Sequence, residues 1–193
     1  MRIISGMARG IRLKAPEGNL VRPTEDRVKE SMFGTIGDLT GKRVLDLFSG
    51  SGALGLEALS RGAARVVMVE REPRHVQVMK SNLAAVAKAV GEGCGEAVIL
   101  TGDAGKVALE ENAFDVILAD PPYHVSPGQY GAEALLADSR VASALADGGL
   151  LVLEHASDLE GLNWSEEAPW RLLRTREFGI RAISYAKKRS ADA

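Results

Sequence analysis

The chain has 193 residues, enough for one domain with a real hydrophobic core and a short appendage. Its 46% hydrophobic and 26% charged residues are ordinary for a soluble globular protein, and a net charge of −2 gives no argument for a nucleic-acid partner. The single cysteine, Cys94, excludes an internal disulfide and a thiolate metal site, the opening MRIISGMARG lacks a signal-peptide core, and no run approaches transmembrane length, so the cytoplasm is the expected compartment.

In chain order, Met1 to about Val21 reads as a small basic β-extension, with Pro16-Glu17-Gly18-Asn19 as a turn. Thr24 is placed to cap a helix over Glu25–Ile36. Arg43–Phe48 is a short apolar strand, followed by a glycine-rich turn and a helix over Ala53–Arg61 that Gly62 stops. Arg65–Glu70 is a second strand, and Pro73–Lys88 a helix with proline in its first turn. Ala97–Thr101 is a third strand, Ala104–Glu111 a short helix and Phe114–Ala119 a fourth strand. A helix from about Gly131 to Leu145 leads to a fifth strand, Gly149–Glu154. After a polar connection over Ala156–Ala168, Trp170–Glu177 and Gly179–Lys187 read as a hairpin turning at Phe178-Gly179.

Continuous apolar strands alternating with amphipathic helices imply a parallel α/β sheet covered on both faces, here closed by an antiparallel pair. Charge is uneven along the chain. Arg2, Arg9, Arg12, Lys14, Arg22, Arg27 and Lys29 crowd the first segment, and Arg171, Arg174, Arg176, Arg181, Lys187, Lys188 and Arg189 the last. This asymmetry makes either a phosphate-facing surface or a solubilising one, and charge alone does not choose.

Asp46-Leu47-Phe48-Ser49-Gly50-Ser51-Gly52-Ala53-Leu54-Gly55 sets G-x-G-x-x-G between a strand and a helix. Glu70 ends the next strand about twenty residues on, where it suits ribose hydroxyls. These two features point to an adenosine-containing ligand without naming it. Asp46 begins to separate the candidates: a carboxylate before the turn accepts from the ammonium of S-adenosylmethionine but repels a pyrophosphate, the other reading being a buried acid bonded to loop amides. Asp103, followed by Ala104, can accept from an adenine amino group or cap the next helix.

Asp120-Pro121-Pro122-Tyr123 follows the fourth strand, at the end of the sheet where such folds bind ligands. Two prolines stiffen the backbone and remove two amide donors, leaving an acceptor-rich pocket. Asp120 and the Pro121 carbonyl can hold the protons of an exocyclic amine, and Tyr123 can stack on a base. Held in this way, the amine lone pair is aimed for an in-line displacement without a metal or a covalent intermediate.

With these residues in place, the sequence resembles the RsmD family of bacterial 16S ribosomal RNA guanine-N2 methyltransferases, along nearly its whole length. The resemblance lies in RIISGMARG, in Arg22-Pro23-Thr24 with Arg27, Glu30 and Phe33, in LDLFSGSGALGLEALSRGA and in LADPPY. It implies a Rossmann-like class I methyltransferase fold: a seven-stranded, mostly parallel sheet with a C-terminal antiparallel hairpin and a small N-terminal β-extension. It divides the chain into an RNA-contacting extension over 1–21 and a methyltransferase domain over 22–193. It implies S-adenosylmethionine held by Asp46, Phe48, Ser49, Gly50, Gly52, Gly55, Glu70, Arg71, Asp103 and Ala104, with Thr24 beside it. Arg9, Arg12, Arg22, Arg27 and His124 become the RNA contacts. The expected partner is 16S RNA in an assembling small subunit, with no membrane or metal, and a monomer is the default. Gly34 stands where the family usually has Asn, His124 occupies a variable position, and Glu154-His155 ends the fifth strand differently.

The same tetrapeptide would serve adenine N6 on DNA or RNA, and the resemblance alone selects guanine. An NAD-dependent oxidoreductase would use the glycine turn and Glu70 but leaves Asp46, the two prolines and the hairpin unexplained. A silent RNA-binding module leaves the tetrapeptide without a purpose.

Overall fold

A computed structural model describes residues 1–16, 26–123, 125–126 and 128–189. The elements are α1 (Asp26–Ile36), β1 (Arg43–Leu47), α2 (Ala53–Ser60), β2 (Arg65–Glu70), α3 (Pro73–Val90), β3 (Glu96–Thr101), β4 (Phe114–Ala119), α4 (Ala132–Ala137), α5 (Ser139–Ala144), β5 (Leu145–Ala156), β6 (Trp170–Phe178) and β7 (Arg181–Lys188). The seven-stranded sheet has the order β3-β2-β1-β4-β5-β7-β6. The chain forms two compact units, Met1–Asp103 and Ala104–Ala193.

In the first unit, β1 pairs with β2 and β2 with β3, all parallel. Val44, Leu45 and Leu47 of β1 and Val66 to Val69 of β2 are buried, as expected of strands covered on both faces. Helix α2 is buried along its entire length, including the polar Glu57 and Ser60. The N-terminal segment explains this. Ile3 N–H donates to the Ile11 carbonyl at 2.9 Å and Gly10 N–H to that of Ile3 at 2.9 Å, so the segment doubles back on itself around a single bridge, Arg2 to Arg12. Its backbone then satisfies the buried helix: Ile4 and Ser5 N–H donate to Glu57 at 2.8 and 3.0 Å, and Ala8 N–H to Ser60 Oγ at 2.9 Å. Lys29 of α1, fully buried, donates through Nζ to the Arg2 carbonyl at 2.6 Å and faces Glu57 at 3.4 Å. Ile3 and Leu13 are buried too. Each such side chain contributes about 1.5–3 kcal/mol, so residues 1–16 are docked on the unit rather than free. The reversal lies at residues 5–10; the turn expected at Pro16–Asn19 falls, after Pro16, outside the described residues.

In the second unit, β4 and β5 are parallel, while β7 runs antiparallel to both β5 and β6, which gives the hairpin expected at the tail. Two expectations fail here. The helix over Ala104–Glu111 is absent, and residues 104–110 are turn and irregular chain. The Arg140 guanidinium takes the Gly105 and Val107 carbonyls, at 2.5 and 3.1 Å, that a helix would use. The helix expected from Gly131 to Leu145 is two helices broken at Asp138, whose extended backbone (φ −82°, ψ 104°) starts α5 as its N-cap by accepting from Arg140 N–H. Strand β5 also begins earlier than expected, at Leu145, with a register shift opposite Phe114–Val116.

Among the described residues no helix is long and apolar enough to cross a membrane, and no cluster of His, Cys, Asp and Glu is grouped to hold a metal ion.

Candidate active site

The turn after β1 is built by backbone bonds within itself and to β2. Ser49 N–H donates to the Val69 carbonyl at 2.9 Å and Gly52 N–H to that of Ser49 at 2.7 Å. Gly52 has φ +81°, which favours glycine, and a Cβ there would lie 2.8 Å from Met79. Phe48 holds φ +63° without being glycine, a costly conformation of the kind found at ligand sites. Gly55 has another purpose: a Cβ would lie 2.7 Å from Met68 and 3.0 Å from Asp46 Oδ2. Only glycine lets α2 start this close to β2.

Asp46 is buried, and its Oδ2 accepts from Gly55 N–H at 2.9 Å. Its Oδ1 has no hydrogen-bond partner among the described residues. Burial pushes this carboxyl up to about 7, with the Gly55 amide and the Ser49 hydroxyl pulling the other way. Glu70, also buried, accepts from Gly50 N–H and Glu72 N–H, both at 2.8 Å. Each of its oxygens keeps a further lone pair for a hydroxyl. Arg71 is exposed and lies 3.5 Å from Glu72, and Asp103, at the end of this unit, is half-buried. Asn82 of α3 was missed by sequence reasoning: its amide donates to the Ser51 carbonyl at 2.9 Å and clasps the Lys14 backbone from both sides at 2.8 and 3.0 Å. A buried amide in a helix of apolar period was the available signal.

In the second unit Ala104 is buried, and Asp120 and Tyr123 are half-buried beside a buried Pro121 and an exposed Pro122. Tyr123 does not stand alone. Its hydroxyl donates to Glu154 Oε1 at 2.8 Å, and Arg181 Nη1 meets the same oxygen at 3.3 Å. Burial, then the Glu154 carboxylate, pushes the Tyr123 phenol up. Burial likewise pushes Glu154 up, against the pull of Tyr123 and Arg181. Neither Glu154 nor Arg181 was a candidate from sequence; the clue was an acid inside the apolar run LLVLEHA. Beyond it, His155 is buried between the Ala156 carbonyl at 2.8 Å and Ser184 Oγ at 2.9 Å.

Of the basic candidates, Arg9, Arg12 and Arg27 are exposed on the first unit. Arg22, Thr24 and His124 lie outside the described residues.

A parallel α/β sheet of this order, with a glycine turn after β1, an acid closing β2 and Asp-Pro-Pro-Tyr after β4, defines a methyltransferase-type domain. The chain belongs to the family described as Conserved hypothetical protein 95, which matches residues 1–187, and this is the RsmD family of the sequence resemblance. It is 38% identical to YlbH of Bacillus subtilis over 98% of this chain and 100% of that one. It is 33% identical to the ribosomal RNA small subunit methyltransferase D of Haemophilus influenzae over 96% and 91% of the two chains. The solved structure of Escherichia coli yhhF is 31% identical with a TM-score of 0.77, covering 97% of each chain.

Proposed function

We propose that this methyltransferase moves a methyl group from S-adenosylmethionine to the exocyclic N2 of a guanine in 16S ribosomal RNA, within an assembling small subunit. The observation that carries the reading is the Asp120-Pro121-Pro122-Tyr123 loop at the end of β4, with its tyrosine tethered. The name of the Haemophilus influenzae relative supports the substrate class.

The residues of the first unit fit the donor. Asp46 has a buried oxygen without a partner among the described residues, which suits a cationic ammonium and would repel a pyrophosphate. Glu70 would take the ribose hydroxyls and Asp103 the adenine amine, while Phe48, Ser49, Gly50 and Gly52 would let the ligand approach the backbone and Gly55 would act by holding Asp46 through its N–H. Arg71, with Ala104 and Thr24 on the strength of the sequence resemblance alone, is a further proposed contact. S-adenosylmethionine supplies an electrophilic methyl on a sulfonium, a leaving group that needs no acid.

The chain's task is then positioning. Asp120 and the Pro121 carbonyl accept the two amine protons, turning the delocalised lone pair out of the ring plane. Pro122 keeps that backbone rigid, and Tyr123 stacks on the base. As nitrogen gains the methyl it loses one proton, which Asp120 would accept. Arg9, Arg12, Arg22 and Arg27, with His124, are the proposed RNA contacts, and residues 1–21 the RNA-contacting extension of a methyltransferase domain over 22–193. The enzyme would act as a monomer in the cytoplasm.

Calorimetric titration with S-adenosylmethionine and with NADH, alongside transfer of label to small-subunit RNA, tests the reading. Binding of the former with transfer supports it; binding of NADH alone overturns it.

A further inference from the structure

Glu154 is difficult to justify on stability. It is 1% exposed within β5, after the apolar Val152 and Leu153, and burying a carboxylate there costs more than burying a Leu would. The carboxylate is also used from one side only. Here Tyr123 and Arg181 converge on Oε1, and Oε2 is buried with no hydrogen-bond partner among the described residues. The shorter bond, 2.8 Å, goes to the tyrosine and the longer, 3.3 Å, to the arginine.

The surroundings give the pair a direction. Arg181 opens β7 opposite Ala156, so its backbone is fixed by the sheet. Glu154 lies two residues earlier in β5, opposite Ile183, and is fixed likewise. Tyr123 is in the irregular segment after β4 and has no ladder of its own. The two strand residues therefore form a rigid bracket, and the tyrosine is the part they restrain.

We propose that Glu154 and Arg181 are positioning residues that hold the Tyr123 ring in one orientation against the substrate base, Glu154 by accepting its hydroxyl and Arg181 by holding the Glu154 carboxylate. This inference rests on the proposed stacking role of Tyr123, but the restraint itself is a property of the free protein.

The test separates the two. The chain has three tyrosines, so protein carrying 3-fluorotyrosine gives three fluorine resonances, assigned by Tyr→Phe variants. Glu154→Ala is expected to sharpen the Tyr123 line alone, and Glu154→Gln, which keeps an acceptor, to restore it. A Tyr123 line that stays unchanged in Glu154→Ala overturns the proposal, whatever the enzyme's substrate. In transfer assays, Tyr123→Phe and Glu154→Ala should each lower kcat about tenfold at unchanged KM for S-adenosylmethionine, and the double variant should fall no further. Additive losses that follow a falling Tm would make the carboxylate a structural element and overturn the positioning role. If Glu154→Ala fails to fold, Arg181→Lys and Tyr123→Phe carry the same cycle. Restrained fluorine behaviour with no methyl transfer by the wild type would sink the proposed function and leave the bracket standing.

Discussion

The loop after β1 is held mainly through its backbone amides, by β2 and by the carboxylates of Asp46 and Glu70, whereas the loop after β4 is held through a side chain, the Tyr123 hydroxyl on Glu154. In the first, backbone amides do the work: Gly55 N–H to Asp46, Gly50 and Glu72 N–H to Glu70. In the second, one hydroxyl reaches a buried ion pair. The contrast fits the tasks proposed for the two loops. A donor with a fixed set of polar groups is met by a fixed backbone. A base that must be brought to the site is met by side chains on a short, stiff tether.

If the two loops divide the labour in this way, each can be broken without the other. The largest effect is expected from Asp120→Ala, which removes an acceptor of the amine protons. Its kcat should fall on the order of a thousandfold while the Kd for S-adenosylmethionine, read by calorimetry, stays within about twofold. Loss of both would merge the two loops into one function.

On the other side, the role proposed for Asp46 would make donor binding pH-dependent. Its carboxyl sits at about 7 in the free protein, and only the ionised form attracts an ammonium. A pKa raised by folding favours the protonated protein, so ligand binding must expel a proton below that value. The Kd should rise about tenfold for each pH unit below 7 and level off above it. Asp46→Asn should flatten that slope, and a wild-type Kd flat from pH 5.5 to 8 would place the ammonium elsewhere.

Gly55→Ala sharpens the comparison by strain rather than charge. Its methyl would press on Met68 at 2.7 Å and on Asp46 Oδ2 at 3.0 Å. Thermal unfolding should show a loss of about 1–3 kcal/mol, with weaker donor binding and a normal kcat at saturation. The smallest effect is expected from charge reversal at the exposed Arg9 and Arg12. RNA affinity should fall several-fold at low salt and the dependence on salt should flatten. An unchanged slope would remove the N-terminal segment from the RNA surface.

The difference between the loops also explains what was legible in the sequence. Asp46, Gly52, Gly55 and Glu70 act at fixed local spacing, and spacing is what a sequence displays. β2 and β4 were legible to the residue for the same reason, each being a continuous apolar run. Glu154 meets Arg181 because β5 and β7 pair, and Tyr123 because β5 lies beside β4, and no local signal reports those pairings. Asn82 was hidden in the same way, its partners Lys14 and Ser51 being brought to α3 by folding. Tertiary partners also misled the helix assignments. Arg140 captured carbonyls that would have carried a helix after Asp103, and Asp138 began a new helix where periodicity read straight through. The docking of residues 1–16 on α2 was legible only as the odd presence of Glu57 and Ser60 in an otherwise apolar helix.

The most direct test of the central claim is nucleoside analysis after transfer from labelled S-adenosylmethionine to small-subunit RNA and assembling subunits that lack the modification. Label in N2-methylguanosine is the expected result. Label in N6-methyladenosine would keep the chemistry of the Asp-Pro-Pro-Tyr loop and contradict the guanine assignment, and no label despite tight donor binding would contradict the proposed reaction on this substrate.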